Sequence, residues 1–202
     1  MAKTRSPFGD PNVRHDSFFK KARAEGFVAR SVYKLDEIDQ RLKLLKPGHR
    51  VLDLGCCPGS WLQYAVKIVG RNGSVVGIDR NPLPHPVPGA RVVVGDIFTA
   101  TDETLLGDLK AFDVVLSDMA PDTTGVRSVD QARSANLFEE ALGRAERFLA
   151  PGGAFVGKLF QGPDFEATRK RLAQRFSEVK IVKPASSRAQ SFEIFLAGKG
   201  FV

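Results

Sequence analysis

The chain of 202 residues is poor in cysteine, with only two, Cys56 and Cys57, side by side. Adjacent cysteines provide neither a disulfide framework nor a spaced pair of metal ligands, and this is typical of proteins from a reducing compartment. No apolar run approaches the roughly 20 residues that cross a bilayer, and the first residues lack the apolar core of a secretory signal. We therefore expect a cytoplasmic protein that does not enter a membrane.

Histidine is also scarce. The three histidines, His15, His49 and His85, lie far apart in the sequence. Their spacing matches no metal-ligand pattern, and no cluster of Asp, Glu and His takes its place. We expect these residues at the surface and no bound metal.

Positive charge is concentrated at the start of the chain. Residues 1–50 hold twelve Lys and Arg against six Asp and Glu, which accounts for +6 of the net charge of +7. Such a region is typical of a phosphate-binding surface, although a solvated tail is equally compatible with the charge alone. The candidate residues for contacting phosphates of a nucleic acid are Lys20, Lys21, Arg23, Arg30 and, near the other end of the chain, Arg188.

Aromatic residues are interspersed among these charges. Phe8, Phe18, Phe19 and Phe27 are placed either to stack on bases or to anchor the N-terminal helices to the rest of the protein. For Phe18, Phe19 and Phe27 we favour anchoring, because large apolar side chains are more often buried.

Short β-branched segments alternate with amphipathic ones from residue 50 onward, which is typical of a parallel sheet flanked by helices. The last two strands have no helix between them and are expected to be antiparallel. We predict one α/β domain with a Rossmann-like, mostly parallel seven-stranded sheet, comprising a basic extension (1–46) and a core (47–202). Strands are predicted at 50–54, 74–78, 91–94, 112–117, 154–158, 179–182 and 192–197, and helices at 17–24, 31–42, 60–68, 130–149 and 165–176.

A turn containing Gly55 and Gly59 follows the first predicted strand. Doubly wound sheets bind ligands at the carboxyl ends of their strands, where glycine lets a ligand approach the backbone. Asp79 ends the second strand, where an acidic side chain binds ribose hydroxyls. A lone glycine pair is more often an ordinary turn, but with Asp79 and Asp96 we favour a cofactor site. Trp61 is compatible with either a core position or a wall of that pocket.

The same turn distinguishes between two cofactors that contain adenosine. A dinucleotide needs the Gly-x-Gly-x-x-Gly pattern, but Cys57 replaces its second glycine and Pro58 has no amide hydrogen to donate. Asp53, Asp96 and Asp118 lie at the ends of neighbouring predicted strands, and their negative charge suits a sulfonium cation. We therefore expect S-adenosylmethionine.

Three charged residues are expected to meet at this edge of the sheet. Asp118 follows the fourth strand, Lys158 ends the fifth, and Glu193 is near the start of the reversed last strand. If the last strand pairs with the fifth, all three side chains can share one site. A lysine can accept a proton from a hydroxyl once burial or nearby positive charge lowers its pKa from about 10.4. Taken singly, each has a purely structural explanation.

Five motifs are spread over nearly the whole chain: Arg30-Ser31-Val32-Tyr33-Lys34-Leu35, Asp53-Leu54-Gly55 with Pro58-Gly59-Ser60-Trp61, Ser117-Asp118-Met119-Ala120-Pro121, Lys158-Leu159-Phe160-Gln161-Gly162, and Lys183-Pro184 with Ser186-Ser187-Arg188 and Glu193. Together they resemble the FtsJ-like family of RNA 2′-O-methyltransferases, and most closely its bacterial members that methylate a uridine of 23S ribosomal RNA. Cys56-Cys57 and Ser60 depart from the small residues that the family carries, which affects the expected loop shape.

The resemblance implies a catalytic tetrad of Lys34, Asp118, Lys158 and Glu193, with Lys158 as the proton acceptor. It implies contacts with S-adenosylmethionine at Gly59, Trp61, Asp79, Asp96 and Asp118. The implied substrate is ribosomal RNA of the large subunit, contacted by the N-terminal extension, and we expect a monomer without an obligate protein partner.

Three alternatives remain open at this stage. A 2′-O-methyltransferase acting on tRNA or an mRNA cap would use the same chemistry. A nicotinamide oxidoreductase would need the missing glycine pattern, and a non-catalytic RNA-binding protein would not need the tetrad.

Overall fold

The computed structural model describes residues 17–187 and 191–202. In this part of the chain six helices and seven strands follow one another in an α/β arrangement. They are α1 (Ser17–Ala24), α2 (Val32–Leu42), β1 (Arg50–Leu54), α3 (Ser60–Val69), β2 (Ser74–Asp79), β3 (Ala90–Val94), α4 (Asp102–Leu106), β4 (Phe112–Ser117), α5 (Arg127–Phe148), β5 (Leu149–Phe160), α6 (Phe165–Arg175), β6 (Phe176–Val182) and β7 (Glu193–Phe201).

The strands form one seven-stranded sheet in the order β3-β2-β1-β4-β5-β7-β6. The pairs from β3 to β5 are parallel, while β7 runs antiparallel to both β5 and β6. The predicted mostly parallel sheet with an antiparallel last strand is therefore confirmed. Because β7 lies next to β5 and runs antiparallel to it, the first residue of β7 pairs with the last residue of β5.

Two hydrophobic clusters cover the two faces of the sheet. One contains the buried residues of α2 and α3, including Leu35, Ile38 and Leu62. The other contains those of α5 and α6, including Phe138 and Leu172. Because helices cover both faces of the sheet, β1 and β4 are buried along almost their whole length, and their sequences are correspondingly apolar.

The N-terminal helices pack on the first of these clusters. Ala22 of α1 is 1% exposed, and the rings of Phe18 and Tyr33 lie 5.6 Å apart between centroids. Phe18 and Phe27 both pack against the cluster, which confirms anchoring for these two residues. Phe8 lies outside the described residues.

Several predicted boundaries differ from the structure. α5 begins at Arg127 rather than 130, and β5 covers Leu149–Phe160 rather than 154–158, with an irregular register opposite Phe112 and Val114. The short helix α4 was not predicted at all. No helix among the described residues has the length and apolar character to cross a membrane.

Candidate functional site

Four charged side chains converge at the carboxyl edge of the sheet, and we call them the tetrad: Lys34, Asp118, Lys158 and Glu193. Lys34 lies in the first turn of α2, and Asp118 directly follows β4. Lys158 lies within β5, two residues before its end, and Glu193 opens β7. The register brings them together, because Glu193 pairs with Phe160 across the antiparallel strands.

Ion pairs link all four members of the tetrad. Asp118 Oδ1 lies 2.9 Å from Lys158 Nζ and 3.8 Å from Lys34 Nζ. Lys34 Nζ lies 2.7 Å from Glu193 Oε1. Lys158 Nζ also donates to the backbone oxygen of Asp118 at 2.5 Å. One carboxylate oxygen is therefore shared by two ammonium groups, and Lys158 is held by two oxygens of a single residue.

The tetrad is largely buried. The exposed fraction of the Lys158 side chain is 6%, and no other member exceeds 18%. Burial raises the pKa of Glu193, but the charge and hydrogen bond of Lys34, together with the charge of Lys158, outweigh it and lower that pKa below its usual value. Glu193 is therefore ionised and holds Lys34 in place.

A cavity of about 580 Å³ adjoins the tetrad and shares Asp118 with it. It lies outside the carboxyl ends of β1, β2, β3 and β4, where doubly wound sheets bind ligands. Its lining comprises Gly55, Cys57, Ile78, Asp79, Arg80, Asn81, Gly95, Asp96, Ile97, Phe98, Asp118, Met119, Ala120, Pro121, Asp122, Arg133, Asn136 and Leu137. Four of the residues expected to bind the cofactor, Gly55, Asp79, Asp96 and Asp118, line this cavity.

The carboxylates of the cavity are oriented by backbone amides. Asp79 accepts hydrogen bonds from the amides of Cys57 at 3.0 Å and Asn81 at 2.8 Å. Asp96 accepts one from the amide of Phe98 at 2.9 Å. These bonds fix each carboxylate and leave further oxygen lone pairs free to accept hydrogen bonds from ligand hydroxyl groups or to face a positive charge. The carboxylates therefore fit S-adenosylmethionine.

The turn after β1 needs glycine at Gly55. Its φ is +77°, and a Cβ at this position would lie 2.3 Å from Met119 Cγ. Gly59, with φ +106°, precedes α3 and is buried, but it does not line the cavity. Glycine therefore lets the β1 turn approach the Met119 segment closely at the edge of the cavity.

Two further predicted cofactor residues, Asp53 and Trp61, are buried and do not line the cavity. Asp53 is 1% exposed, and its Oδ2 has no hydrogen-bond partner. Burial, followed by the charges of Asp118 and Asp79, raises the pKa of Asp53 well above its usual value. Trp61 is 3% exposed, donates from its indole to Ser31 O at 2.8 Å and lies 5.8 Å from the Phe195 ring. Trp61 is thus a core residue, and its contact with the cofactor stays a prediction.

Sequence reasoning missed the part of the cavity that α5 contributes. Arg133, Asn136 and Leu137 line it from one face of this helix, at the spacing of three and four residues that a helix places together. Arg133 also donates to Asp122 O at 3.3 Å, which holds the segment after Asp118 against α5. The helical spacing was visible in the sequence, but nothing indicated which face meets the cavity.

Among the candidate RNA-binding residues, Lys20, Lys21 and Arg23 are exposed on α1. Lys21 Nζ lies 4.7 Å from the centre of the Tyr33 ring, and Arg23 lies 5.9 Å from that of Phe19. Stacking of a base on Phe19 would compete with this contact. Arg30 is half-buried, and Arg188 lies outside the described residues.

In residues 17–187 and 191–202 no group of three or more His, Cys, Asp or Glu side chains is placed to hold a metal ion. His85 is exposed and His49 is half-buried, whereas His15 falls outside these ranges.

Comparison with known proteins identifies the family. The family model described as FtsJ-like methyltransferase matches residues 27–201. The "Ribosomal RNA large subunit methyltransferase E" of Desulfatibacillum aliphaticivorans is 50% identical over 188 residues, which are 93% of this chain and 91% of that protein. The protein of the same name from Syntrophobacter fumaroxidans is 52% identical over 188 residues, covering 91% and 94%.

A solved structure gives the same result. The crystal structure of a chain described as a ribosomal RNA methyltransferase from Plasmodium falciparum superposes with a TM-score of 0.76 at 29% identity, covering 87% of this chain and 98% of that one. The two bacterial relatives match over most of the sequence, and the family model covers every member of the tetrad. The chain therefore belongs to the FtsJ-like methyltransferases.

Proposed function

We propose that this methyltransferase transfers a methyl group from S-adenosylmethionine to a ribose 2′-hydroxyl of 23S ribosomal RNA in the large ribosomal subunit. The observation that carries the proposal is a buried lysine of the tetrad, Lys158, paired with Asp118, a residue that also lines the acidic cavity. The curated relatives, whose names specify large-subunit ribosomal RNA, support the substrate.

S-Adenosylmethionine is the methyl donor of this family. The residues that would hold it are Asp79 at its ribose hydroxyls and Asp96, Asp118 and Gly55 along the rest of the cavity. When bound, it supplies an electrophilic methyl group, and its sulfur keeps the electron pair of the broken S–C bond.

The tetrad acts on the nucleophile. A ribose 2′-hydroxyl is a weak nucleophile, so its proton must leave as the bond to carbon forms. Lys158 Nζ in its uncharged form accepts this proton, and the two oxygens of Asp118 that contact it leave the remaining direction free for the hydroxyl. Lys34 and Glu193 fix the position of Asp118 and hence of Lys158, which keeps the reacting atoms aligned.

The N-terminal part of the chain is proposed to bind the RNA substrate. We propose that residues 1–46 contact the RNA, with Lys20, Lys21, Arg23 and Arg30 near its phosphates, and that residues 47–202 bind the cofactor and catalyse transfer. All four tetrad residues come from one chain, which supports action as a monomer. Ribosomal RNA as substrate supports a cytoplasmic location.

The proposal is tested by incubating the protein with labelled S-adenosylmethionine and bacterial large ribosomal subunits that lack the modification. We expect label on the 2′-oxygen of one 23S nucleotide. Parallel reactions contain tRNA or capped mRNA. Label on a base, or a higher rate on either of those RNAs than on subunits, would overturn the assignment. The variant with Lys158 replaced by Met is the control for labelling that does not depend on the site.

A further inference from the structure

Two aromatic rings lie beside the tetrad, where β5 ends and β7 begins. Phe160 ends β5, and Phe192 directly precedes Glu193. Their ring centroids are 4.7 Å apart with an angle of 65° between the ring planes. The backbone N–H of Gln161 donates a hydrogen bond to the backbone oxygen of Phe192 at 2.9 Å. The hydrogen bond joins the ends of the two strands. The rings therefore have a fixed position next to a tetrad residue.

These rings are not core residues. Phe155 of β5 and Phe195 of β7 are each 0% exposed, whereas Phe160 and Phe192 are only half-buried. The edge-on contact between the two rings covers part of each and leaves aromatic surface available to solvent. An exposed aromatic surface next to a catalytic site is typical of ligand binding.

A cation accompanies the rings. The guanidinium of Arg127, the first residue of α5, lies 5.3 Å from the centre of the Phe192 ring. This end of α5 is fixed by Asp130, whose carboxylate accepts hydrogen bonds from Thr124 N at 2.8 Å, Thr124 Oγ1 at 2.9 Å and Gly125 N at 3.2 Å. Arg127 is exposed, and so are the apolar side chains of Val126 and Val129, at 55% and 39%.

We infer that Arg127, Phe160 and Phe192 form a stacking platform for an unpaired base of the RNA, next to the ribose that is methylated. The inference rests on the proposed function. The cavity reaches the tetrad at Asp118, which follows β4, and the platform reaches it at Glu193, which begins β7, with β5 between these two strands. A ribose held between them has its methyl donor on one side and the platform on the other, within reach of its own base or an adjacent one.

The chemistry of the platform favours RNA over an apolar partner. Proteins recognise unpaired RNA bases by stacking them on aromatic rings and on the plane of an arginine guanidinium. Arg127 and the amino end of α5 are both positive, which suits the phosphates that flank the base. A purely apolar partner would leave the Arg127 charge without a counterpart in the interface.

The test compares variants of Phe192 that keep or remove aromaticity. Phe192→Leu removes the aromatic stacking surface but keeps an apolar side chain, whereas Phe192→Trp keeps an aromatic stacking surface. With unmodified large subunits as substrate, we expect Phe192→Leu to lower kcat/KM for RNA roughly tenfold, in line with base stacking. We expect Phe192→Trp to stay within about twofold of the original protein by the same principle. Equal rates for all three proteins would overturn the platform.

Arg127→Gln provides an independent measurement, with Arg169→Gln as the matched control. Arg169 is an exposed arginine on α6, a different helix of the same layer as α5, and its side chain pairs with Glu166. Arg127→Gln should lower kcat/KM for RNA and leave the Kd for S-adenosylmethionine unchanged, whereas Arg169→Gln should change neither. If Phe192→Leu no longer binds S-adenosylmethionine, the variant has not folded correctly. The comparison of Arg127→Gln with Arg169→Gln then tests the platform. An original protein that methylates no RNA ribose contradicts the proposed function, whereas full activity in both Phe192→Leu and Arg127→Gln contradicts only the platform.

Discussion

Lys34 Nζ lies 2.7 Å from Glu193 Oε1, so a helix that precedes the sheet is tied to the first residue of its last strand. The same ammonium lies 3.8 Å from Asp118 Oδ1, the oxygen that Lys158 contacts at 2.9 Å. Because these side chains are mostly buried, solvent and salt screen their charges less than at the surface. The four groups should therefore respond as a unit when one of them is changed.

Replacing Lys158 by Met should abolish methyl transfer without affecting cofactor binding. Loss of a proton acceptor lowers kcat by about 100-fold or more, while Lys158 is not among the residues that line the cavity. Lys158→Arg separates charge from proton transfer, since arginine stays protonated. We expect Lys158→Arg to be inactive as well, measured by single-turnover methylation and by calorimetry with S-adenosylmethionine. Activity of the arginine variant near the original level would remove Lys158 as the proton acceptor.

Replacing Glu193 by Gln should destabilise the protein in a way that depends on pH. The pKa of Glu193 is lowered in the folded state, because Lys34 and Lys158 outweigh the effect of burial. Its ionised form therefore stabilises the fold above the unfolded pKa of about 4.3, and this contribution is lost as the pH falls through the folded pKa.

We expect Glu193→Gln to lower the free energy of unfolding by roughly 2 kcal/mol at pH 7, as for a hydrogen bond to a charged group. The difference should shrink on acidification below about pH 4. Urea unfolding at a series of pH values measures it. A difference that is the same at every pH would show that the Glu193 charge does not contribute, and that the substitution acts through packing alone.

The parts of the fold that were predictable are those that local sequence determines. The bounds of β1 and β4 were predicted to the residue, because both are buried runs rich in valine and leucine with a turn at each end. The meeting of Asp118, Lys158 and Glu193 was predicted on the condition that the last strand pairs with the fifth, and the structure shows this pairing.

The rest depends on contacts between distant segments. Thr101 caps α4 by accepting from Thr104 N, but a helix of five residues has too few apolar positions to show a period. The buried Arg144 of α5 donates to Ala100 O at 2.8 Å and to Ile97 O at 2.5 Å, which holds the segment after Asp96. A sequence pattern does not indicate that an arginine in a long helix will turn inward.

Replacing Asp53 by Asn should stabilise the protein without cofactor and weaken binding of S-adenosylmethionine. Burial, then the charges of Asp118 and Asp79, raises the pKa of Asp53. For an acid with a raised folded pKa, stability is lost as the pH rises through that pKa, so the Asp53 carboxyl destabilises the fold at higher pH. A bound sulfonium cation near these carboxylates would offset this cost.

We expect Asp53→Asn to raise the free energy of unfolding at pH 8, with the gain disappearing at low pH. Thermal unfolding without cofactor measures the stability, and calorimetry measures the Kd, which should rise. Destabilisation at pH 8 together with an unchanged Kd would mean that Asp53 has only a structural role.

Replacing Lys20, Lys21 and Arg23 together by Ala should weaken RNA binding and reduce its dependence on salt. Each phosphate contact releases condensed counterions, so losing three cations should reduce the slope of log affinity against log salt by about 2. All three side chains are exposed on α1, so the fold should tolerate the change. Binding to large subunits over a range of salt concentrations gives the slope.

A second triple variant, Lys67, Arg71 and Lys110 to Ala, removes the same net charge from a different surface. Lys110 and Arg71 precede β4 and β2, at the amino edge of the sheet, and Lys67 lies in the last turn of α3. If α1 contacts phosphates, only the first variant changes the slope, because distant charges are screened beyond about 10 Å at 0.1 M salt. Equal changes in both would mean that net charge attracts the RNA, and α1 would then be an ordinary solvated helix.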